Sequence, residues 1–127
     1  MDKTKIIGKY GEESAIKYLE KENYRVIKKN YRCKFGEIDI IAYDKNSHEL
    51  VFIEVKTRTN KKFGTGINSI DIIKQKHIYK TIEYYLCIKK IDRKHIIRID
   101  AIEIFLKKWN CEIKHYKNII IDFPYTN

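Results

Sequence analysis

The chain has 127 residues, which suits one domain (1–127) with a single hydrophobic core. Lysines and arginines total 27 against 17 aspartates and glutamates, and the net charge of +10 suggests a polyanionic partner such as nucleic acid. The alternative is a coding bias, since the chain is rich in Lys, Ile, Asn and Tyr. No apolar run is long enough to span a bilayer and the N-terminus lacks an apolar signal segment, so the sequence predicts a cytoplasmic protein with no membrane contact.

The first predicted element is a helix from Thr4 to Glu22, whose apolar residues recur at three- and four-residue steps. The stripe consists of Ile7, Gly11, Ala15, Tyr18 and Leu19. At about 100° per residue, Glu12 falls at the edge of this stripe, whereas Glu13 points to solvent. A carboxylate at the edge of a core can face a site, so Glu12 is a candidate functional residue.

Three strands are predicted next, the second and third as a hairpin. The first spans residues 24–31, and the hairpin strands contain the apolar runs 36–41 and 52–56, with the loop at 44–48. Each hairpin strand carries acidic residues within its apolar run. A buried carboxylate is strongly unfavourable unless something pairs with it, so these two strands are the most informative part of the chain.

The hairpin register predicts which of these charged residues meet. If Tyr43 pairs with Leu50, Asp39 lies opposite Glu54, with Cβ atoms about 5 Å apart. Lys56 follows on the same side of the sheet because side chains alternate along a strand. Two carboxylates and an ammonium group are therefore expected to converge on one spot.

The rest of the chain predicts a polar loop (57–68), a second helix and further strands. The helix begins with Ser69 as its cap and ends near Ile88. Its predicted buried side consists of Ile70, Ile73, Ile78, Ile82, Tyr85 and Leu86. Lys74 lies in the same angular sector and can reach the sheet. A strand at 95–106 and one or two short strands at 112–116 and 119–123 complete an α/β fold of order α-β-β-β-α-β-β, a mixed sheet flanked by helices.

Facing carboxylates repel each other unless a proton or a cation lies between them. Their oxygens suit Mg²⁺ or Mn²⁺, so Asp39, Glu54, the backbone carbonyl of Val55 and Glu12 are candidate metal ligands. Lys56 would hold or deprotonate an attacking water, or offset charge on a phosphate. The set is typical of phosphodiester hydrolysis. The alternative is a solvated network in which Glu54 pairs with Lys56 and Asp39 binds an arginine.

Motifs along nearly the whole chain resemble those of the YraN-type family of predicted endonucleases, which is related to PD-(D/E)xK nucleases and archaeal Holliday-junction resolvases. The motifs are Gly8-x-x-Gly11-Glu12, Ala15-x-x-Tyr18-Leu19, Asn30-Tyr31-Arg32-Cys33, Gly36-Glu37-Ile38-Asp39, Phe52-Ile53-Glu54-Val55-Lys56-Thr57-Arg58, Phe63-Gly64, Lys74-Gln75-Lys76, Tyr85-Leu86, Arg98-Ile99-Asp100-Ala101-Ile102 and Ile113-x-His115-x-x-Asn118. The resemblance implies a restriction-endonuclease-like three-layer fold. It also implies a D…ExK catalytic triad of Asp39, Glu54 and Lys56, with Glu12 as the first-helix glutamate and with Glu37 and Lys74 in support.

Basic residues around these motifs are expected to bind the phosphates of a nucleic acid. They are Arg32, Lys34, Arg58, Lys61, Lys62 and Lys76. Since no pattern indicates base readout, recognition of DNA by its structure (branched, flap or single-stranded) is expected. The sequence thus predicts a Mg²⁺- or Mn²⁺-dependent endodeoxyribonuclease, monomeric or homodimeric. Two alternatives stay open, a catalytically silent nucleic-acid-binding module and a protein-interaction factor.

Overall fold

The described chain forms two helices and five strands, in the order that the sequence predicts. The computed structural model describes residues 3–59, 72–92 and 94–119. The elements are α1 (Lys3–Lys21), β1 (Tyr24–Cys33), β2 (Gly36–Asp44), β3 (Glu49–Arg58), α2 (Ile72–Ile88), β4 (Ile97–Leu106) and β5 (Cys111–Tyr116). The predicted α-β-β-β-α-β-β order is confirmed.

One mixed sheet contains all five strands in the order β1-β2-β3-β4-β5. β3 and β4 run parallel, and the other neighbouring strands are antiparallel. A parallel pair needs a crossover connection, and α2 lies in it. β3 and β4 therefore finish at the same end of the sheet, which we call the Arg58 end. The opposite end, where β3 begins, is the Glu49 end.

Each face of the sheet is covered by one helix. On one face α1 contributes to a core of Ala15, Leu19, Tyr24, Ile40, Ala42, Val51, Ile53, Ile102 and Ile104. On the other face α2 contributes to a core of Ile38, Ile41, Leu50, Phe52, Ile78, Ile82, Tyr85, Ala101 and Ile119. This arrangement is consistent with the expected three-layer α/β architecture. Within the described ranges, neither helix is long and apolar enough to cross a membrane.

Two hairpin turns lie at the Arg58 end. The β1–β2 turn is Lys34-Phe35, between the paired residues Cys33 and Gly36. The β4–β5 turn spans residues 107–110, where the backbone N–H of Lys107 donates to the carbonyl of Asn110 at 2.7 Å. These turns adjoin the strands on either side of the central strand β3. They therefore lie on both sides of the Arg58 end of β3.

The prediction that Ile73 is buried is wrong, since its side chain is 68% exposed. The buried stripe of α2 passes through Ile78, Ile82 and Tyr85 at steps of four and three residues. Four residues before Ile78 lies Lys74, so that residue occupies the inward position in the first turn. The predicted helix cap Ser69 and Ile70 lie outside the described residues, as do positions 120–123 of the predicted last strand.

Candidate active site

The predicted hairpin register is confirmed. Tyr43 pairs with Leu50, and the paired residues continue to Ile40 opposite Ile53. Asp39 is the next residue of β2, at the point where β2 and β3 approach the Arg58 end. The register alone therefore brings Asp39 to the level of Glu54.

Asp39 uses its side chain to contact the backbone of β3. The backbone N–H of Val55 donates to Oδ2 of Asp39 at 2.8 Å. The flanking residues Ile38 and Ile40 pack into the cores on opposite faces of the sheet. Burial raises the pKa of Asp39, although the Val55 hydrogen bond and the nearby Lys74 act in the opposite direction.

Glu54 lies on the interior of β3 and is only 4% exposed. Its Oε2 is 3.4 Å from Nζ of Lys74, and its buried Oε1 has no hydrogen-bond partner among the described residues. Burial, and then the charge of Asp39, raise the pKa of Glu54 to about 8. A buried carboxyl group with an unpaired oxygen is unfavourable for folding, which is typical of a functional site.

Two lysines beside Glu54 differ in their electrostatics. Lys56 is half-buried, and burial together with the charge of Lys74 lowers its pKa. Burial also acts against the charged form of Lys74, but the adjacent Glu54 raises the pKa of Lys74. Of the two, Lys56 is therefore better suited to accept and release a proton, while Lys74 remains a fixed positive charge.

Glu12 approaches from α1, as its place at the edge of the helix stripe predicts. It lines a cleft of about 210 Å³ together with Ile7, Gly8, Asp39, Val55, Lys56 and Thr57. Burial, and then the charge of Asp39, raise the pKa of Glu12. Its Oε1 is buried and has no hydrogen-bond partner in the part of the chain that the structure describes. The neighbouring Glu13 is exposed.

A close contact between α1 and β3 places Glu12. A Cβ atom on Gly11 would overlap Oγ1 of Thr57. At Gly8, one turn earlier in α1, no described atom lies within 4 Å of the corresponding position. The absence of a side chain at Gly11 thus allows the helix to lie against β3 and brings the next residue, Glu12, to the cleft.

The donor set at the cleft fits a hard divalent cation. Glu12 and Glu54 each have a buried carboxylate oxygen without a hydrogen-bond partner among the described residues, and the charge of Asp39 raises the pKa of both. Asp39 and Glu12 line the cleft itself, and Glu54 lies beside it on β3. Among the described residues, no three His, Cys, Asp or Glu side chains form a preformed metal cluster. An ion that binds through one or two carboxylates and keeps several waters, as Mg²⁺ does, is compatible with such a sparse set.

The remaining predicted residues surround the site at different degrees of exposure. Glu37 is exposed, and its Oε2 is 3.2 Å from Nε of Arg32 on the paired strand. Lys34 lies in the β1–β2 turn with Nζ 5.2 Å from the ring centroid of Phe35. Lys76 is exposed on α2. Lys61 and Lys62 lie outside the described residues.

Sequence reasoning missed Glu103, a carboxylate on β4 that is 1% exposed. It pairs in register with Lys56, its Oε2 is 3.4 Å from Nε of Arg58, and its Oε1 accepts a hydrogen bond from Tyr116 at 3.0 Å. Arg58 is thus held beside the site by a buried partner. The signal was available, because Glu103 interrupts an apolar strand just as Glu54 does.

A second buried charge network lies at the Glu49 end and centres on Arg98. The guanidinium group binds both carboxylate oxygens of Asp100, at 2.9 and 3.0 Å. It also donates to Asp44 at 3.0 Å, to Glu49 at 2.8 Å and to the hydroxyl of Tyr24 at 2.6 Å. These bonds connect β4 with the β2–β3 hairpin.

The same network extends to β5 through Asp100. Nε2 of His115 is 2.7 Å from Oδ2 of Asp100, and the backbone N–H of Asn118 donates to Oδ1 at 2.8 Å. Burial acts against the charged form of Asp44, but hydrogen bonds from Arg98 and from the β2–β3 loop lower its pKa to about 2. In contrast to the Arg58 end, the carboxylates here are well paired, which indicates a structural role.

Comparison with known proteins places the chain in a family. The "Uncharacterised protein family UPF0102" matches residues 11–104, a span that contains Glu12, Asp39, Glu54, Lys56 and Glu103. A UPF0102 protein of Clostridium botulinum (strain Kyoto / Type A2) is 45% identical over 116 residues, which cover 90% of this chain and 93% of that protein. A UPF0102 protein of Caldicellulosiruptor bescii is 42% identical over 102 residues, covering 80% and 84% respectively. The chain therefore belongs to the UPF0102 family.

Proposed function

We propose that this protein is a metal-dependent endonuclease that hydrolyses DNA phosphodiester bonds. The observation that carries the proposal is the buried carboxyl group of Glu54, which lies near Asp39 and leaves one oxygen without a hydrogen-bond partner in the described chain. Lys56 follows two residues later on the same strand. If Glu54 served only to form an ion pair with Lys74, it would need neither the nearby carboxylate of Asp39 nor a buried oxygen without a partner.

The proposal includes the relationship to PD-(D/E)xK nucleases that the sequence motifs imply. A mixed five-stranded sheet with one helix on each face supports a restriction-endonuclease-like fold. Asp39 on β2, with Glu54 and Lys56 on β3, supports the D…ExK assignment.

Asp39, Glu54 and the backbone carbonyl of Val55 would hold Mg²⁺ or Mn²⁺, with Glu12 as a further ligand directly or through water. When bound, such an ion supplies charge stabilisation to a phosphate and lowers the pKa of a water. Lys56, whose pKa is lowered, takes the proton of the attacking water on Nζ as the oxygen–phosphorus bond forms and the bond to the leaving strand breaks. Lys74 stays positively charged and offsets the negative charge that accumulates at the site.

DNA would lie along the Arg58 end. Arg32 and Lys34 near the β1–β2 turn are exposed on one side of the site, and Lys76 is exposed on α2. These cations would contact phosphates, which position a nucleic acid without reading its sequence. We therefore propose recognition of DNA structure, with branched, flap and single-stranded DNA as the candidate substrates.

The test is cleavage of a panel of linear, flap, gapped, four-way and single-stranded DNA in Mn²⁺ or Mg²⁺. Glu54→Gln and Lys56→Met should each lower the rate by about 100-fold or more while DNA binding is retained. Glu12→Gln should also be slower, whereas Glu13→Gln is the matched control and should cleave normally, because Glu13 faces solvent.

Equal cleavage by wild type and Glu54→Gln would contradict the proposal and indicate a contaminating nuclease. The rival function is a nucleic-acid-binding module, favoured by the ion pair between Glu54 and Lys74, which occupies one candidate ligand oxygen. That module would bind DNA with a steep salt dependence and cleave nothing with any metal. A protein-interaction factor would do neither.

A further inference from the structure

Trp109 is the single tryptophan of the chain and is 87% exposed. It lies in the turn between β4 and β5, at the Arg58 end of the sheet. Tryptophan carries a large apolar ring that is mostly covered in folded proteins. The Trp109 ring is therefore exposed to solvent at the same end of the sheet as the candidate active site.

The strand register gives the distance from Trp109 to the site. Lys56 is level with Glu103, and Trp109 follows six residues later along the chain. At about 3.3 Å per residue the separation along the strand is at most about 20 Å. This equals roughly six steps of a B-form strand at 3.4 Å per step, so one DNA molecule can contact both places.

One cation lies beside the exposed ring, and two further lysines lie on the same part of the hairpin. Nζ of Lys108 lies 5.5 Å from the Trp109 ring centroid, and Nζ of Lys114 lies 5.6 Å from the ring centroid of Phe105 at the base of the hairpin. Lys107 pairs with Glu112 at 3.1 Å. Residues 105–114 contain three lysines and one glutamate, so this end of the hairpin carries a net positive charge next to the Trp109 ring.

The β1–β2 turn at the same end of the sheet can be compared with the turn that contains Trp109. Lys34 and Phe35 also form a lysine–aromatic pair, but Phe35 is half-buried, with its ring centroid 5.7 Å from that of Tyr84 on α2. Packing against α2 accounts for the aromatic residue in that turn. It does not account for Trp109, whose ring remains exposed.

We propose that Trp109 stacks on an unpaired base of single-stranded DNA while Lys108 contacts a neighbouring phosphate. Aromatic rings stack on any base whose face is free, and nearby cations hold the backbone. Bases inside a duplex already stack on each other, so the hairpin selects single strands, flaps or frayed junctions. The position of the bound strand relative to the active site rests on the proposed function. Unpaired bases would be the feature of DNA structure that such a nuclease recognises.

The fluorescence of Trp109 tests the inference directly, because no other tryptophan contributes. Titration with a single-stranded 12-mer in buffer containing EDTA should quench the emission, and a blunt 12-base-pair duplex should quench it less. Trp109→Ala should weaken binding of a labelled single strand about tenfold, and Trp109→Phe should retain most of the affinity. Ile96→Ala removes another exposed apolar side chain, at the Glu49 end, and should bind like wild type.

Unchanged emission, or Trp109→Ala binding as tightly as wild type, would overturn the inference. Because the metal is chelated, the result does not depend on cleavage. Quenching that persists in a Glu54→Gln protein supports base stacking even if no substrate is ever cut. Cleavage that needs Glu54 without any effect of Trp109→Ala would support the nuclease and reject the stacking role.

Discussion

Glu54 is the residue whose protonation state depends most clearly on its surroundings. Its pKa is about 8 in the folded protein and 4.5 for an ordinary glutamate. Between these values the folded state holds a proton that the unfolded state releases. The stability contributed by this group is therefore complete below about pH 4.5 and is lost as the pH rises through 8.

We expect the metal-free protein to lose stability between pH 5 and pH 8, and Glu54→Gln to lose less. The difference in slope should be at most about 1.4 kcal/mol per pH unit, the value for one proton. Asp39 and Glu12 also have raised pKa values, so part of the slope should remain in the variant. Urea denaturation in EDTA at several pH values measures both slopes, and identical slopes would show that Glu54 ionises normally.

At the scale of elements, the contact between α1 and β3 fixes the cleft. Gly11→Ala should destabilise the protein although alanine favours helix, because its methyl group would overlap Thr57. Gly8→Ala is the matched control, since no described atom contacts that position, and it should stabilise the protein by up to about 1 kcal/mol. Thermal melting separates the two.

The same pair of variants tests the placement of Glu12. Displacement of α1 from β3 in Gly11→Ala should weaken Mn²⁺ binding, whereas Gly8→Ala should leave it unchanged. If the two variants have the same melting temperature and the same affinity for Mn²⁺, the close approach at Gly11 does not position Glu12.

The features that the sequence predicted correctly depend on residues close together in the chain. The hairpin register, and with it the meeting of Asp39 and Glu54, follows from a short loop and alternating side chains. Glu103 and the Arg98 network depend instead on the parallel register of β3 and β4. A long connection separates those strands in the chain, so no local pattern sets their alignment. The sequence placed both Ile73 and Lys74 on the inward side of the first helical turn. Only Lys74 lies there, because the buried stripe through Ile78 and Ile82 continues back to residue 74 and not to residue 73.

For the whole molecule, the two ends of the sheet respond to opposite changes in pH. Glu12, Asp39 and Glu54 toward the Arg58 end have raised pKa values. Those of Asp44 and Asp100 at the Glu49 end are lowered by their partners despite burial. Asp44 thus contributes stability that is present above its ordinary pKa of 3.8 and lost as the pH falls through about 2. The contributions of Asp44 and Glu54 to stability are both complete only between these two windows.

Asp44→Asn should lower the free energy of unfolding by about 1–3 kcal/mol at pH 6, because Arg98 loses a charged partner in the interior. Its stability should also fall less than that of wild type between pH 4 and pH 2. DNA cleavage by the folded variant should be normal, since Asp44 lies at the opposite end of the sheet. An acid profile parallel to that of wild type would contradict the assigned pKa.

The hydrogen bond from Val55 to Asp39 affects how divergence among relatives is interpreted. Asp39 holds two strands together as well as facing the cleft, so selection for folding alone would keep it. Glu54 pairs with Lys74 on α2, but its other oxygen has no hydrogen-bond partner among the described residues, so its burial opposes folding in the absence of a cation. If the proposed nuclease activity is right, a relative without that activity should change Glu54 and Lys56 first and retain Asp39. The ExK pair, and not the aspartate, would then separate active relatives from inactive ones.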